Sequence, residues 1–158
     1  MNLGIIILLS SLLHLEADFV QVKEMQLMEG KQVSSGHLSY RAPDYMRWEY
    51  QSPQTLVWEI DGEQTNTNPQ VKRLLQMIMA TIAGESLTDN TNFEVEQEDN
   101  RYTLTPKKRE LKQMFQQIIL TLQPETQIAE QVVLVEKNGD RSAIQFSNVQ
   151  YEVYKNEQ

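Results

Sequence analysis

The stretch PDYMRWEYQSPQTLVWEIDG, residues 43–62, alternates apolar and polar side chains twice over. Met46, Trp48 and Tyr50 share one parity, with Arg47 and Glu49 between them. Leu56, Trp58 and Ile60 repeat the pattern around Val57 and Glu59. Period-two alternation is the signature of a strand with one buried face. Pro43-Asp44, Ser52-Pro53 and Asp61-Gly62 punctuate the stretch as turns. Strands joined by hairpin-length links run antiparallel. Each of the two strands carries a Trp on its bulky face, which suits the floor of a core or of an apolar pocket.

The same reading extends upstream. From Glu16 onward Ala17, Phe19 and Gln21 oppose Asp18, Val20 and Val22. A polar turn is expected at Glu29-Gly30, followed by a strand with Gly36, Leu38 and Tyr40 on one face and His37, Ser39 and Arg41 on the other. Downstream the period changes. Val71, Leu74, Leu75, Ile78, Met79 and Ile82 recur at helical spacing and predict an amphipathic helix. Asn68-Pro69 supplies its start and Gly84 its stop. Strands resume with Phe93 and Val95, a turn at Asp99-Asn100, and Tyr102 and Leu104. A helical turn over Glu110–Phe115 precedes strands around Ile118–Leu122, Ile128–Lys137 and Ile144–Phe146. Asn138-Gly139-Asp140 predicts a type I′ hairpin turn. The tail from Tyr151 is polar and is expected to fray. The sum is about nine or ten strands and one substantial helix, an antiparallel sheet long enough to curl into a barrel or half-barrel.

Leu3 to Leu15 is apolar but too short for a membrane span, which needs about 20 residues. It has the length of a signal-peptide core, although no Lys or Arg precedes Lys23. The alternatives are a trimmed signal, the first helix of the folded domain, or a remnant over Met1–Leu9 followed by a helical turn over Ser10–Leu15. The expected organisation is therefore residues 1–15 as signal remnant or N-terminal helix, 16–150 as the domain, and 151–158 as a polar tail.

Composition removes whole classes of function. The chain of 158 residues has no Cys, which excludes disulfides, thiolate metal sites and a Cys nucleophile. Its 22 acidic and 14 basic side chains give a net charge of −8, which disfavours sequence-independent binding to nucleic acid or anionic lipid. Two histidines, His14 and His37, sit on separate segments and predict no metal centre. No nucleophile elbow, zinc-protease motif or phosphate-binding loop is present. Glu94, Glu96 and Glu98 share a strand face and read as a solvated edge; Lys107, Lys108 and Arg109 read as a solvated loop. These features point to a binding protein without catalysis or cofactor.

An ordered set of motifs carries a further likeness. It comprises Ala17-Asp-Phe-Val-Gln21, Ser35-Gly36, Pro43 with Arg47-Trp48, Tyr50 and Pro53, then Asp61-Gly62, Tyr102, Leu104 and Pro106, and Glu136–Asp140 with Ile144, Phe146 and Asn148. In this order the set resembles the periplasmic outer-membrane lipoprotein carrier protein family (LolA) over roughly Ser11 to Val149. The resemblance implies an α+β, mainly β fold: an unclosed antiparallel β-barrel with a helical lid over an apolar cavity. It implies a periplasmic carrier or chaperone that binds lipoprotein acyl chains and ferries them from inner to outer membrane. Its partners would be acylated lipoproteins, an inner-membrane lipoprotein-releasing transporter and an outer-membrane acceptor, with no nucleic acid, and it would act as a monomer. The acceptor of the same fold needs an N-terminal Cys, and the sigma-factor regulator of the same fold has a second domain. Neither is expected of this chain. The competing class is a lipid or hydrophobic-ligand sensor or adaptor of the same fold.

The expected acyl wall is Phe19, Leu38, Tyr40, Met46, Trp48, Tyr50, Leu56, Trp58, Ile60 and Phe146, and the expected lid stripe includes Leu74, Leu75, Ile78 and Ile82. The alternative is that these residues are an ordinary core. Carriers of the family lock the lid with an arginine directly before a proline. That position is Ala42 here, which leaves Arg41 and Arg47 as lid-locking candidates.

Overall fold

The computed structural model describes residues 12–82 and 92–153. Strands β1 (Leu12–Glu24), β2 (Lys31–Arg41), β3 (Tyr45–Ser52), β4 (Leu56–Asp61) and β5 (Gln64–Thr65) precede helix α1 (Pro69–Ile82). Then follow β6 (Phe93–Glu98), β7 (Arg101–Pro106), the short helix α2 (Arg109–Lys112), β8 (Phe115–Leu122), β9 (Ala129–Glu136) and β10 (Arg141–Val153). Among the described residues ten strands form one antiparallel sheet in the order β5-β4-β3-β2-β1-β10-β9-β8-β7-β6, in which β5 and β6 are the edges and the sheet does not close. Two compact units divide the chain. Of the described residues, the first holds 12–19, 35–82 and 147–153, and the second 20–34 and 92–146.

In the first unit the alternation read from residues 43–62 sets the register. Trp48 lies opposite Trp58, Met46 opposite Ile60, and Tyr50 opposite Leu56. On the other side Trp48 faces Leu38, Met46 faces Tyr40, and Tyr50 faces Gly36. One sheet face is therefore built of apolar rows, and the reverse face sets His37 against Glu49 and Ser39 against Arg47. Leu38, Tyr40, Met46, Trp48 and Ile60 are all buried, as are Leu15, Ala17 and Phe19 of β1. Helix α1 belongs to this unit and starts as its sequence dictates. Pro69 is its first residue, Asn68 Oδ1 accepts the Val71 N–H at 2.8 Å, and Asn68 O accepts that of Lys72 at 2.9 Å. Its buried face is Leu75, Ile78 and Met79.

In the second unit β7 to β10 stack apolar rows: Leu104 against Ile118, Ile118 against Leu134, and Leu120 and Ile144 both against Val132. These side chains are buried with Phe93, Phe115 and Phe146. The β1–β2 turn is tied to the β9–β10 turn, with the Gln26 N–H donating to Asp140 Oδ1 at 2.9 Å and Gln26 Nε2 to Gly139 O at 3.2 Å.

Four expectations need correction. Leu12–Leu15 are not a helical turn but the opening of β1, because the alternation starts at His14 and not at Glu16. The remaining N-terminal expectations, Met1–Leu9 included, lie outside the described residues, as does Gly84. The tail does not fray at Tyr151: β10 runs to Val153. The helical turn after the basic cluster ends at Lys112, and Phe115 already begins β8 with its ring buried. The Asn138-Gly139 turn is not type I′, which needs positive φ at both central residues. Only Gly139 is left-handed, at φ 94°. Gly139 N bonds Glu136 O at 3.0 Å and Glu136 N bonds Asp140 O at 2.8 Å, the pattern of a type I turn closed by a glycine bulge. Asn138 Oδ1 accepts the Asp140 N–H at 2.9 Å, which holds Asn138 in ordinary backbone space.

Candidate functional site

The residues expected to line an acyl site are gathered largely in the first unit. Phe19 stacks on Trp48 with ring centroids 4.3 Å apart, Tyr50 meets Phe19 edge-on at 5.4 Å, and Trp58 meets Tyr50 edge-on at 5.5 Å. Such pairs add about 0.5–1.5 kcal/mol each beyond the area they bury. Gly36 makes the cluster possible. A Cβ there would lie 1.8 Å from the Glu49 carbonyl oxygen and 2.9 Å from Phe19 Cζ, so the bare backbone lets the Phe19 ring lie over it.

Burial along this wall is graded. Leu38, Met46 and Ile60 are fully enclosed, Tyr50 and Trp58 are half-buried, and Leu56 is 47% exposed. The apolar surface therefore runs out from the covered interior to solvent along β3 and β4. On α1, Leu75 and Ile78 are buried and Leu74 is half-buried. The Ile82 side chain lies outside the described ones. Phe146 is buried in the second unit. The lid-locking candidates Arg41 and Arg47 both stand on the polar face and are exposed. Arg41 lies 5.3 Å from the centre of the Tyr45 ring, and Arg47 donates to Glu49 Oε2 at 3.3 Å.

The polar face holds a cluster that the sequence reading did not assemble. His37 places Nε2 at 2.8 Å from Glu16 Oε1 and Nδ1 at 2.9 Å from Asp18 Oδ1. Glu16 also receives Ser39 Oγ at 2.7 Å and meets His14 Nε2 at 2.7 Å. Asn148 Nδ2 donates to Asp18 Oδ2 at 2.9 Å. Partial burial opposes ionisation of Glu16, yet hydrogen bonds with His37, Ser39 and His14 outweigh it and hold its carboxyl below the usual range. Hydrogen bonds with Asn148 and then His37 do the same for Asp18. Burial works against charge on His37, and the bonds to Asp18 and Glu16 overcome it and push the imidazole up. The available signal was parity: His14, Glu16 and Asp18 share one face of β1, and His37 and Ser39 one face of β2.

Among the described residues no helix is long and apolar enough to cross a membrane, and no group of three or more His, Cys, Asp or Glu is placed to hold a metal ion. The arrangement can bury apolar ligand surface.

No curated protein matches the sequence. Among solved structures, a chain of the Pseudomonas aeruginosa MucA/MucB complex matches 98% of this chain and 57% of its own, at 12% identity and a TM-score of 0.52. The LolA superfamily protein NE2245 from Nitrosomonas europaea matches over 90% of this chain and 88% of its own, at 10% identity and a TM-score of 0.46. A putative outer membrane lipoprotein-sorting protein domain from Vibrio parahaemolyticus matches over 92% and 88%, at 7% identity and 0.39. The first of these likenesses is one of fold. The family model described as outer membrane lipoprotein carrier protein LolA matches residues 10–157, across both compact units. With an unclosed antiparallel sheet, and with a helix in the same unit as its apolar rows, the chain belongs to the LolA outer membrane lipoprotein carrier protein family.

Proposed function

We infer that this protein is a periplasmic carrier that shields the acyl chains of lipoproteins on the apolar face of its sheet, without catalysis and without a cofactor. The observation that carries the reading is the graded apolar wall of a LolA-family chain, from enclosed Trp48 through half-buried Tyr50 and Trp58 to exposed Leu56. An apolar chain removed from water gains about 0.8 kcal/mol per methylene, so such a wall attracts fatty tails with no polar contact. Helix α1 presents Leu74, Leu75 and Ile78 and would close over the wall when no cargo is bound. A lid that competes for the same surface makes release as accessible as uptake. The donor would be an inner-membrane lipoprotein-releasing transporter and the recipient an outer-membrane acceptor.

The test is to mix delipidated protein with a purified acylated lipoprotein and isolate the soluble complex. The carrier reading expects a stable one-to-one complex, lost or strongly weakened in Trp58→Glu with the circular dichroism spectrum retained. Trp58 is half-buried and tolerates a carboxylate that the enclosed Met46 does not. Binding of free lipid with no lipoprotein complex would sink the carrier reading in favour of a sensor.

A further inference from the structure

The polar face behind Phe19 and Leu38 contains a histidine held at both ends. A neutral imidazole has one N–H donor and one acceptor nitrogen. His37 has Glu16 Oε1 at 2.8 Å from one ring nitrogen and Asp18 Oδ1 at 2.9 Å from the other. Ionised carboxylates only accept, so both contacts are hydrogen bonds only when the ring carries two protons and a positive charge. Neutral His37 must leave one carboxylate facing a lone pair. Neither carboxylate is idle otherwise: Ser39 and His14 engage Glu16, and Asn148 engages Asp18.

We propose that His37 is a proton-dependent staple that fastens β2 to β1 and is released when the ring loses its proton. The fastened strands carry Leu15, Ala17 and Phe19, and Leu38 and Tyr40, on their opposite face, so the staple sits directly behind the apolar wall. The charged and titratable groups around it are consistent with a cation at this point. On β1 they are His14, Glu16 and Asp18; on β2, Arg41 on the same face; on β3, Glu49 opposite His37 in register, with Arg47 already engaged by Glu49. Asn148 of β10 is neutral. Its left-handed backbone, φ 50°, breaks the strand alternation that buries Ile144 and Phe146, and its amide reaches Asp18.

The direction of the pH effect follows. His37 is pushed above its ordinary value of 6.5, so its contribution is complete below that value and is lost as pH rises through the raised one. Glu16 and Asp18 are held below 4.5 and 3.8, so theirs is complete above those values and is lost as pH falls through the lowered ones. All three act together between 4.5 and 6.5, a mildly acidic window. The side chains of His37 and Asp18 are 32% and 49% exposed, so salt weakens the staple.

Two measurements test it. The first follows the His37 ring resonances through a pH titration in the wild type, Glu16→Gln and Asp18→Asn. The expected result is a midpoint above the ordinary imidazole value that each substitution lowers and high salt diminishes. The second compares the urea midpoint of the wild type with that of His37→Gln across pH. The gap should be widest under mildly acidic conditions and should close as pH rises through the His37 titration. A ring titrating at or below the ordinary value, or a gap constant with pH, overturns the proposal. If His37→Gln does not fold, the ring titration alone decides. Neither readout uses acyl cargo, so failure here is separable from failure of the carrier reading.

Discussion

At the scale of single residues, Gly36 shows how one missing side chain fixes a wall. Replacing a strand glycine by alanine ordinarily stabilises by about 0.4–1 kcal/mol through the unfolded chain. Here the added carbon meets a backbone oxygen at 1.8 Å, and the β2–β3 register is already irregular beside Gly36. The clash wins, because neither the Glu49 carbonyl nor the stacked Phe19 ring is a flexible chain end. Gly36→Ala is expected to lower stability by on the order of 2–3 kcal/mol, read as a lower urea midpoint; an unchanged midpoint would mean that the β3 backbone can move aside. Parity alone told which residues would share the wall, so Met46, Trp48, Tyr50, Leu56, Trp58 and Ile60 were legible from the alternation. The His37 cluster was not. Its members share faces within each strand, but the meeting of Glu16 with His37 depends on how β1 is set against β2, which no local pattern states. Asn148 was further out of reach, since neither its left-handed backbone nor its bond to Asp18, 130 residues away, follows from a local pattern.

At the scale of elements, α1 was readable at both levels that make a helix. Its apolar spacing gave the buried face, and Asn68-Pro69 gave the start. These two signals carry different energies. Losing the Asn68 cap should cost about 1 kcal/mol, whereas Leu75, 1% exposed, should cost about 2–5 kcal/mol on truncation to Ala. Chemical unfolding of Asn68→Ala and Leu75→Ala should therefore show a small and a large drop. Equal drops would mean that packing contributes no more than the cap to holding the helix down, contrary to what a helix of 14 residues requires in water. Strand ends were less legible than strand centres. The first residues of β1 look like a signal core, because an apolar segment of that length serves either purpose. The last residues of β10 look like a polar tail, because they are exposed. The β4 edge was also unforeseen: Asn66 accepts the Glu59 N–H and donates to Val57 O, each at 2.8 Å, and so covers with a side chain the groups that a further strand would pair.

At the scale of the whole molecule, the carrier reading sets a net charge of −8 beside a wall proposed to take fatty tails. The charge discourages attraction to anionic lipid surfaces, so on that reading uptake rests on burial of hydrocarbon. Burial and charge respond to different variables. Each added pair of methylenes should strengthen binding by about 1.6 kcal/mol, which is roughly a fifteenfold fall in Kd, until the tail outruns the wall. Raising the salt concentration should leave this series unchanged or tighten it slightly, because no ion pair with cargo is screened. Displacement of a fluorescent fatty acid by saturated acids of increasing length, at low and high salt, measures both. An affinity that is flat with chain length, or that collapses in salt, would place the driving force in headgroup charge. The graded apolar wall would then be an ordinary core, and the function would have to be sought on the polar face instead.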